Sequence, residues 1–123
     1  MTIREAMEIA DRLKPNAYEK EDKLRWLSEL DGAVYTEILK NHWPVPEAFS
    51  GYPEHTDLET VLLIPYPFEE IYRWYLEMKM DDANGELARY NNSAAKFNTS
   101  YLAFTSGYNR THLPKQYATH FKL

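Results

Sequence analysis

The sequence predicts a mainly α-helical fold, a four-helix bundle-like domain with a Pro-rich extended excursion between its second and third helices. Three observations predict it. Apolar residues recur at helical three- and four-residue spacing over about 2–14, 17–42, 67–83 and 86–111. Five of the seven Pro fall between residues 44 and 67, a density that no helix survives. Only Thr60–Ile64 is short, apolar and strand-like in character. A chain of 123 residues suits one domain rather than two. It can bury roughly two-thirds of its unfolded surface without staples. The helical domain is expected over 1–112, followed by an irregular tail over 113–123.

The first helix is signalled by Thr2 and Glu5, which fit a capping box. Ile3, Ala6, Met7, Ala10 and Leu13 then form one face, and Pro15 ends the helix because the residue before Pro is driven out of the α region. The second helix is expected from Asn16 as N-cap, with Leu24, Leu27, Leu30 or Asp31, Val34 and Ile38 on one stripe. Trp26, Ala33 and Tyr35 widen that stripe. Gly32 within it costs about 1 kcal/mol against Ala and reads as a close helix–helix contact. Trp43-Pro44 closes the helix after His42.

Residues 43–66 form the excursion. A short β-hairpin, pairing Thr60–Ile64 with the region around Phe49–Tyr52, is one way to order it. The third helix opens at Pro67, which suits the first helical position, and Glu69 and Glu70 complement the positive end of its dipole. Ile71, Tyr75 and Met78 make one face, while Tyr72, Trp74 and Leu76 add others. From Leu76 through Met80, Ala83, Leu87, Tyr90, Ala94, Phe97, Tyr101, Phe104 and Tyr108 the spacing is heptad-like. Asn84-Gly85 lies inside this seam and is a turn dipeptide. One helix over 67–111 or two meeting at Asn84-Gly85 would both satisfy the spacing, and the poor helix interior of Asp81–Gly85 favours two or one sharply bent. Gly107 and Pro114 weaken helix beyond Thr111.

Composition excludes several function classes. With no Cys there is neither a disulfide nor a thiolate nucleophile or ligand. A net charge of −5 with scattered Lys and Arg argues against a sequence-specific nucleic-acid binder. No secretory signal is readable at the start, and Val61–Ile64 is the longest apolar run, far short of a membrane span. An intracellular origin without membrane association is expected. No His lies three or four residues from another. Glu54, His55, Asp57 and Glu59 are a conceivable hard-cation cluster, but a solvated loop accounts for them better, so no metal and no cofactor is expected. Glu69-Glu70 and Asp81-Asp82 are adjacent pairs whose members diverge on a helix; the first reads as a dipole partner, the second as a helix end or solvated face. Neither G-x-S-x-G nor a phosphate-cradling Gly loop occurs, and no catalytic residue is assigned.

The informative feature is the aromatic content of 15%. The seam absorbs part of it, but not all. The surplus supplies candidate interface residues, since Tyr and Trp suit surfaces that are apolar at one end and wet at the other. They are Trp43, Phe49, Tyr52, Tyr66, Tyr72, Trp74, Tyr75 and Tyr117.

Several strings carry a family likeness. They are Thr2–Ala6, Ile9–Asp11, Trp26–Gly32, Tyr75–Glu77, Asn84–Glu86, Arg89–Ser93, Phe97-Asn98 and Tyr108–His112. In these the chain resembles small prophage-encoded structural proteins, the head–tail connector (adaptor, or neck) proteins of tailed bacteriophages. The resemblance implies a small helical subunit without catalytic residues, forming a homo-oligomeric ring that links the portal to tail or stopper proteins. It would sit in the virion neck, and in the host cytoplasm before assembly, with packaged DNA passing through the ring. The excursion 43–66 and the tail 113–123 are then candidates for docking. The alternative is a small helical interaction or regulatory module from a mobile element.

Overall fold

The computed structural model describes residues 1–115. Its elements are α1 (Ile3–Leu13), α2 (Lys20–Glu37), a 3-10 turn (Leu39–Asn41), β1 (His42–Trp43), α3 (Glu70–Ala83), α4 (Leu87–Thr111) and β2 (Leu113–Pro114). The fold is mainly helical and bundle-like. Helix α3 is its centre, with α1 and α2 on it and α4 folded back along it as a helical hairpin.

Local chemistry sets each boundary. Thr2 Oγ1 accepts from Glu5 N–H at 3.1 Å and Glu5 Oε1 accepts from Thr2 N–H at 2.9 Å, completing the capping box. This bonding holds the Glu5 carboxyl below its usual range. Helix α2 starts at Lys20, later than the expected Asn16 cap. Asn16 instead accepts from Tyr18 N–H at 3.0 Å and donates to Asp11 Oδ1 at 2.9 Å, and this local turn competes with helix. Helix α2 also ends at Glu37 rather than at 42. Beyond it, Asn41 donates its side-chain amide to the Glu37 and Thr36 carbonyls and finishes the helix. Helix α3 begins at Glu70, three residues after Pro67, because Phe68 N–H turns back to the Pro65 carbonyl at 2.9 Å.

Asn84-Gly85 breaks the chain into α3 and α4. Gly85 has φ +71°, a conformation that favours Gly, and Glu86 N–H closes the turn on the Asp81 carbonyl at 3.0 Å. That reversal resets the helical phase. Tyr90, Ala94, Phe97, Tyr101, Phe104 and Tyr108 still lie on a buried or half-buried face. Ala83 and Leu87 do not share it, and Leu87 is 72% exposed. The expected continuous seam therefore exists only in two separate pieces.

The excursion does not project from the bundle. Ile3 N–H donates to the Thr60 carbonyl at 3.0 Å, Arg4 N–H to Leu58 at 2.9 Å, and Leu62 N–H to the Met1 carbonyl at 2.9 Å. Thr2 and Val61 form an antiparallel bridge, so the strand-like run pairs with the N-terminus rather than with Phe49–Tyr52. The expected hairpin is absent among the described residues. Leu62 and Ile64 instead enter the core beside Ile3, Leu27, Ile71 and Leu76. The start of the tail is ordered as well: β2 pairs antiparallel with β1, His42 opposite Pro114 and Trp43 opposite Leu113.

Aromatic rings attach α4. Phe68 packs on Phe104 with centroids 5.5 Å apart, Phe104 on Tyr108 at 5.8 Å, and His42 edge-on to Tyr108 at 4.9 Å. Tyr75 and Phe97 meet at 5.2 Å nearer the turn. Gly107 is needed here, since an added Cβ would stand 2.8 Å from Phe68 Cζ.

Candidate interaction surfaces

The excursion is pinned by a buried carboxylate. Asp31, fully buried on the core side of α2, accepts from Tyr72 Oη at 2.6 Å, from Leu63 N–H at 3.0 Å and from the Tyr52 hydroxyl. Tyr72 Oη in turn accepts from Ile64 N–H at 2.7 Å. Burial raises the Asp31 carboxyl above its usual range and pushes both tyrosine hydroxyls upward, with the neighbouring carboxylate reinforcing the effect. Sequence reading left Leu30 or Asp31 open for this stripe; both are buried, and Asp31 is the residue that ties α2, α3 and the excursion together.

A second buried polar node was not legible from the Asp81-Asp82 pair, which reads as a solvated helix end. Asp82 is exposed, but Asp81 is buried. It pairs with Lys14 Nζ at 2.7 Å and accepts from Ser93 Oγ at 2.8 Å, joining α1, α3 and α4. Its signal is positional: Asp81 lies one residue past buried Met80, where α3 is covered on more than one side.

The candidate interface aromatics separate into distinct environments. Tyr72 is wholly buried and belongs to the core, because its hydroxyl has Asp31 and Ile64 as partners; it is not an interface residue. Tyr52 is half-buried on Asp31 and packs edge-on to Phe49 at 4.9 Å. Tyr75 is half-buried against Phe97. Trp74 is half-buried, with the Arg73 guanidinium 4.0 Å and Lys96 Nζ 4.5 Å from its ring centroid. Trp43 is half-exposed with Lys115 Nζ 5.0 Å from its ring. Tyr66 is 84% exposed. Tyr117 lies outside the described residues.

Three surfaces formed by the described residues are candidates to meet a partner. A groove of about 330 Å³ runs between α1 and the start of α3, with Ile9, Leu13, Tyr66 and Pro67 as its apolar walls and Glu69, Glu70 and Arg73 at its rim. A second groove, of about 500 Å³, lies between α2 and the excursion. Its floor is Leu24, Ser28 and Gly32, and its far wall is Phe49–Tyr52. The wall approaches α2 closely because Gly51 has φ +103° and an added Cβ would stand 2.9 Å from Ser28 Oγ, which accepts from Tyr52 N–H. The third surface is the outward side of α4. That helix has 25 residues and buries only Ser93, Phe104 and Gly107.

Among the described residues no three His, Asp or Glu side chains gather as a metal site would require. Glu59 is instead paired with Arg4, and Asp57 Oδ1 accepts from Glu59 N–H at 3.0 Å. No described helix is long and apolar enough to cross a membrane. No family model, curated protein or solved structure matches the chain.

Proposed function

We propose that this chain is a structural assembly subunit, a ring-forming head–tail connector that links portal to tail or stopper proteins in the neck of a tailed phage, and that it works by contact rather than by chemistry. The observation that carries the reading is α4. A 25-residue helix with three buried residues and with Leu87 and Leu102 exposed by 72% and 65% contributes far more surface than its own domain uses. Leu87 and Leu102 stand about 22 Å apart along the helix at ~1.5 Å per residue, and exposed Ala88, Ala95 and Ala103 add apolar area to the same helix for a neighbour to cover. The open groove at Tyr66 and Leu13 adds a further surface for a non-identical neighbour. The likeness of residues 2–32 and 75–112 to prophage neck proteins supplies the biological setting.

Native mass spectrometry and light scattering across a concentration series, with and without a portal protein, test the reading. A discrete large ring, or a stoichiometric complex with the portal, is the expected result. A fixed dimer under every condition would favour a small interaction module. A monomer that ignores the portal at all concentrations would overturn the assembly role.

A further inference from the structure

Asn84-Gly85 is the one Asn-Gly pair in the chain, and it forms the turn between α3 and α4. In such a pair the Gly amide nitrogen can attack the Asn side-chain carbonyl, because Gly has no side chain to obstruct a close approach. A bond forms between Gly85 N and Asn84 Cγ, and the bond from Cγ to Nδ2 breaks. The Gly85 amide proton leaves with the departing nitrogen as ammonia, and a cyclic imide results. Water then opens the imide at either carbonyl and yields aspartate or isoaspartate. Asn84 and Gly85 are both exposed, so water reaches them.

The turn opposes this reaction. Asn84 has ψ −10°, so Gly85 N nearly eclipses the Asn84 nitrogen about the Cα–C bond. Ring closure needs Gly85 N to eclipse Cβ instead, which points elsewhere on the tetrahedral Cα. Backbone bonds keep the peptide from rotating. Asn84 N–H donates to the Met80 carbonyl at 2.9 Å, Gly85 N–H to the Asp82 carbonyl at 3.1 Å and Glu86 N–H to the Asp81 carbonyl at 3.0 Å. The attacking nitrogen is thus itself tied into the turn.

Tyr18 restrains the other reacting group. Its hydroxyl donates to Asn84 Oδ1 from 66 residues earlier in the chain. The ring stands edge-on to Trp26 with centroids 5.5 Å apart, and Tyr18 N–H donates to Asn16 Oδ1 at 3.0 Å. The connection between α1 and α2 therefore reaches the α3–α4 turn and anchors the carboxamide there.

We propose that Asn84 is a latent deamidation site, shut by the Tyr18 hydroxyl and the Gly85 turn while α3 and α4 stay paired, and reactive once they part. Conversion is a one-way change of the turn. Aspartate adds a carboxylate near Asp81, Asp82 and Glu86 at the C-terminal end of α3, where the helix dipole disfavours negative charge. Isoaspartate routes the main chain through Cβ and lengthens a turn that Glu86 N–H closes on Asp81. Either product loosens the seat of α4. The site stands independently of the assembly reading.

The test is peptide mapping by mass spectrometry of the full-length protein, kept at neutral pH and sampled over time, folded in buffer and unfolded in urea. Asn92, inside α4 and followed by Ser93, is the internal reference. In urea Asn84 is expected to convert ahead of every other asparagine. Folded wild type is expected to convert at Asn84 at least about tenfold more slowly, since the reactive conformer requires local opening. Tyr18→Phe keeps the ring and removes only the hydroxyl. It is expected to speed conversion at Asn84 in the folded protein severalfold, with the rate at Asn92, the rate in urea and the circular dichroism all unchanged. Absence of conversion at Asn84 in urea would overturn the site. Equal rates for folded and unfolded wild type would overturn the shielding, a comparison that stands whether or not the variant folds. A Tyr18→Phe rate equal to wild type, or one raised at Asn84 and Asn92 together, would overturn the local restraint by the hydroxyl.

Discussion

At the scale of single residues, Asp31 joins α2 to α3 and to the excursion. It accepts from three donors, Tyr52 and Leu63 in the excursion and Tyr72 in α3. Removing it strands the part-buried Leu63 N–H and Tyr52 hydroxyl and the fully buried Tyr72 hydroxyl without their acceptor. Asp31→Ala is expected to cost about 3 kcal/mol, since each stranded buried donor costs roughly 1–3 kcal/mol. Urea denaturation followed by circular dichroism measures this. Tyr72→Phe removes only the hydroxyl and should cost about half as much. Asp31 also sets a pH dependence. Burial raises its pKa in the folded state, so the native protein holds that proton more tightly than the unfolded chain does. Its contribution to stability is fully present below the ordinary carboxylate value of about 4 and declines as pH rises through the raised value. Wild type should lose stability relative to Asp31→Asn across that window. A stability difference between the two that does not change with pH would show that Asp31 ionises at its ordinary pKa.

At the scale of elements, the glycines and the ends of α4 separate sequence pattern from packing. Gly32 and Gly107 both lie inside helices, yet only Gly107 is held by a neighbour, with Phe68 Cζ 2.8 Å from the position of an added Cβ. Gly32→Ala is therefore expected to raise monomer stability by about 1 kcal/mol through helix propensity. Gly107→Ala is expected to lower it by about 1 kcal/mol, as the Phe68 ring must leave its place against Phe104. Thermal melts of both variants check the opposite signs. Heptad spacing puts Leu87 in the same seam as Phe104, but the Gly85 turn rotates it into solvent. Leu87→Asp should change stability by less than about 0.5 kcal/mol, and the acid even suits the N-terminal end of α4. Phe104→Ala should cost about 3–5 kcal/mol. Equal losses in the two would restore the continuous seam.

At the scale of the whole molecule, all 19 Asp and Glu precede Leu87 while five of the 14 Lys and Arg follow it, so the first 86 residues carry −10 and the remainder +5. This partition gives the chain a polarity that its modest net charge conceals. The acid-free stretch from Leu87 onward is attracted to the acidic remainder of a second copy. Surface charges are screened within about 8 Å at physiological salt. Self-association should thus weaken by about tenfold or more between ~0.05 and ~0.5 M salt, measured by sedimentation. Association that strengthens with salt would mean that apolar area, at Tyr66 and Leu13 or at Leu102, dominates instead.

Sequence alone determined the helical class, the capping box at Thr2 and Glu5 and the nonhelical character of residues 43–66, and it left one bent helix or two open at Asn84-Gly85, which the structure resolves as two. Each follows from spacing, caps or Pro and Gly, which act within a few residues. Only the tertiary structure decided that Thr60–Ile64 pairs with the N-terminus, that Tyr72 is core and Tyr66 surface, that Asp31 and Asp81 are buried, and that Gly32 faces open space. Those outcomes depend on which donor or ring arrives from a distant segment. Burial of a polar side chain is decided by its partner's position, which no local pattern encodes.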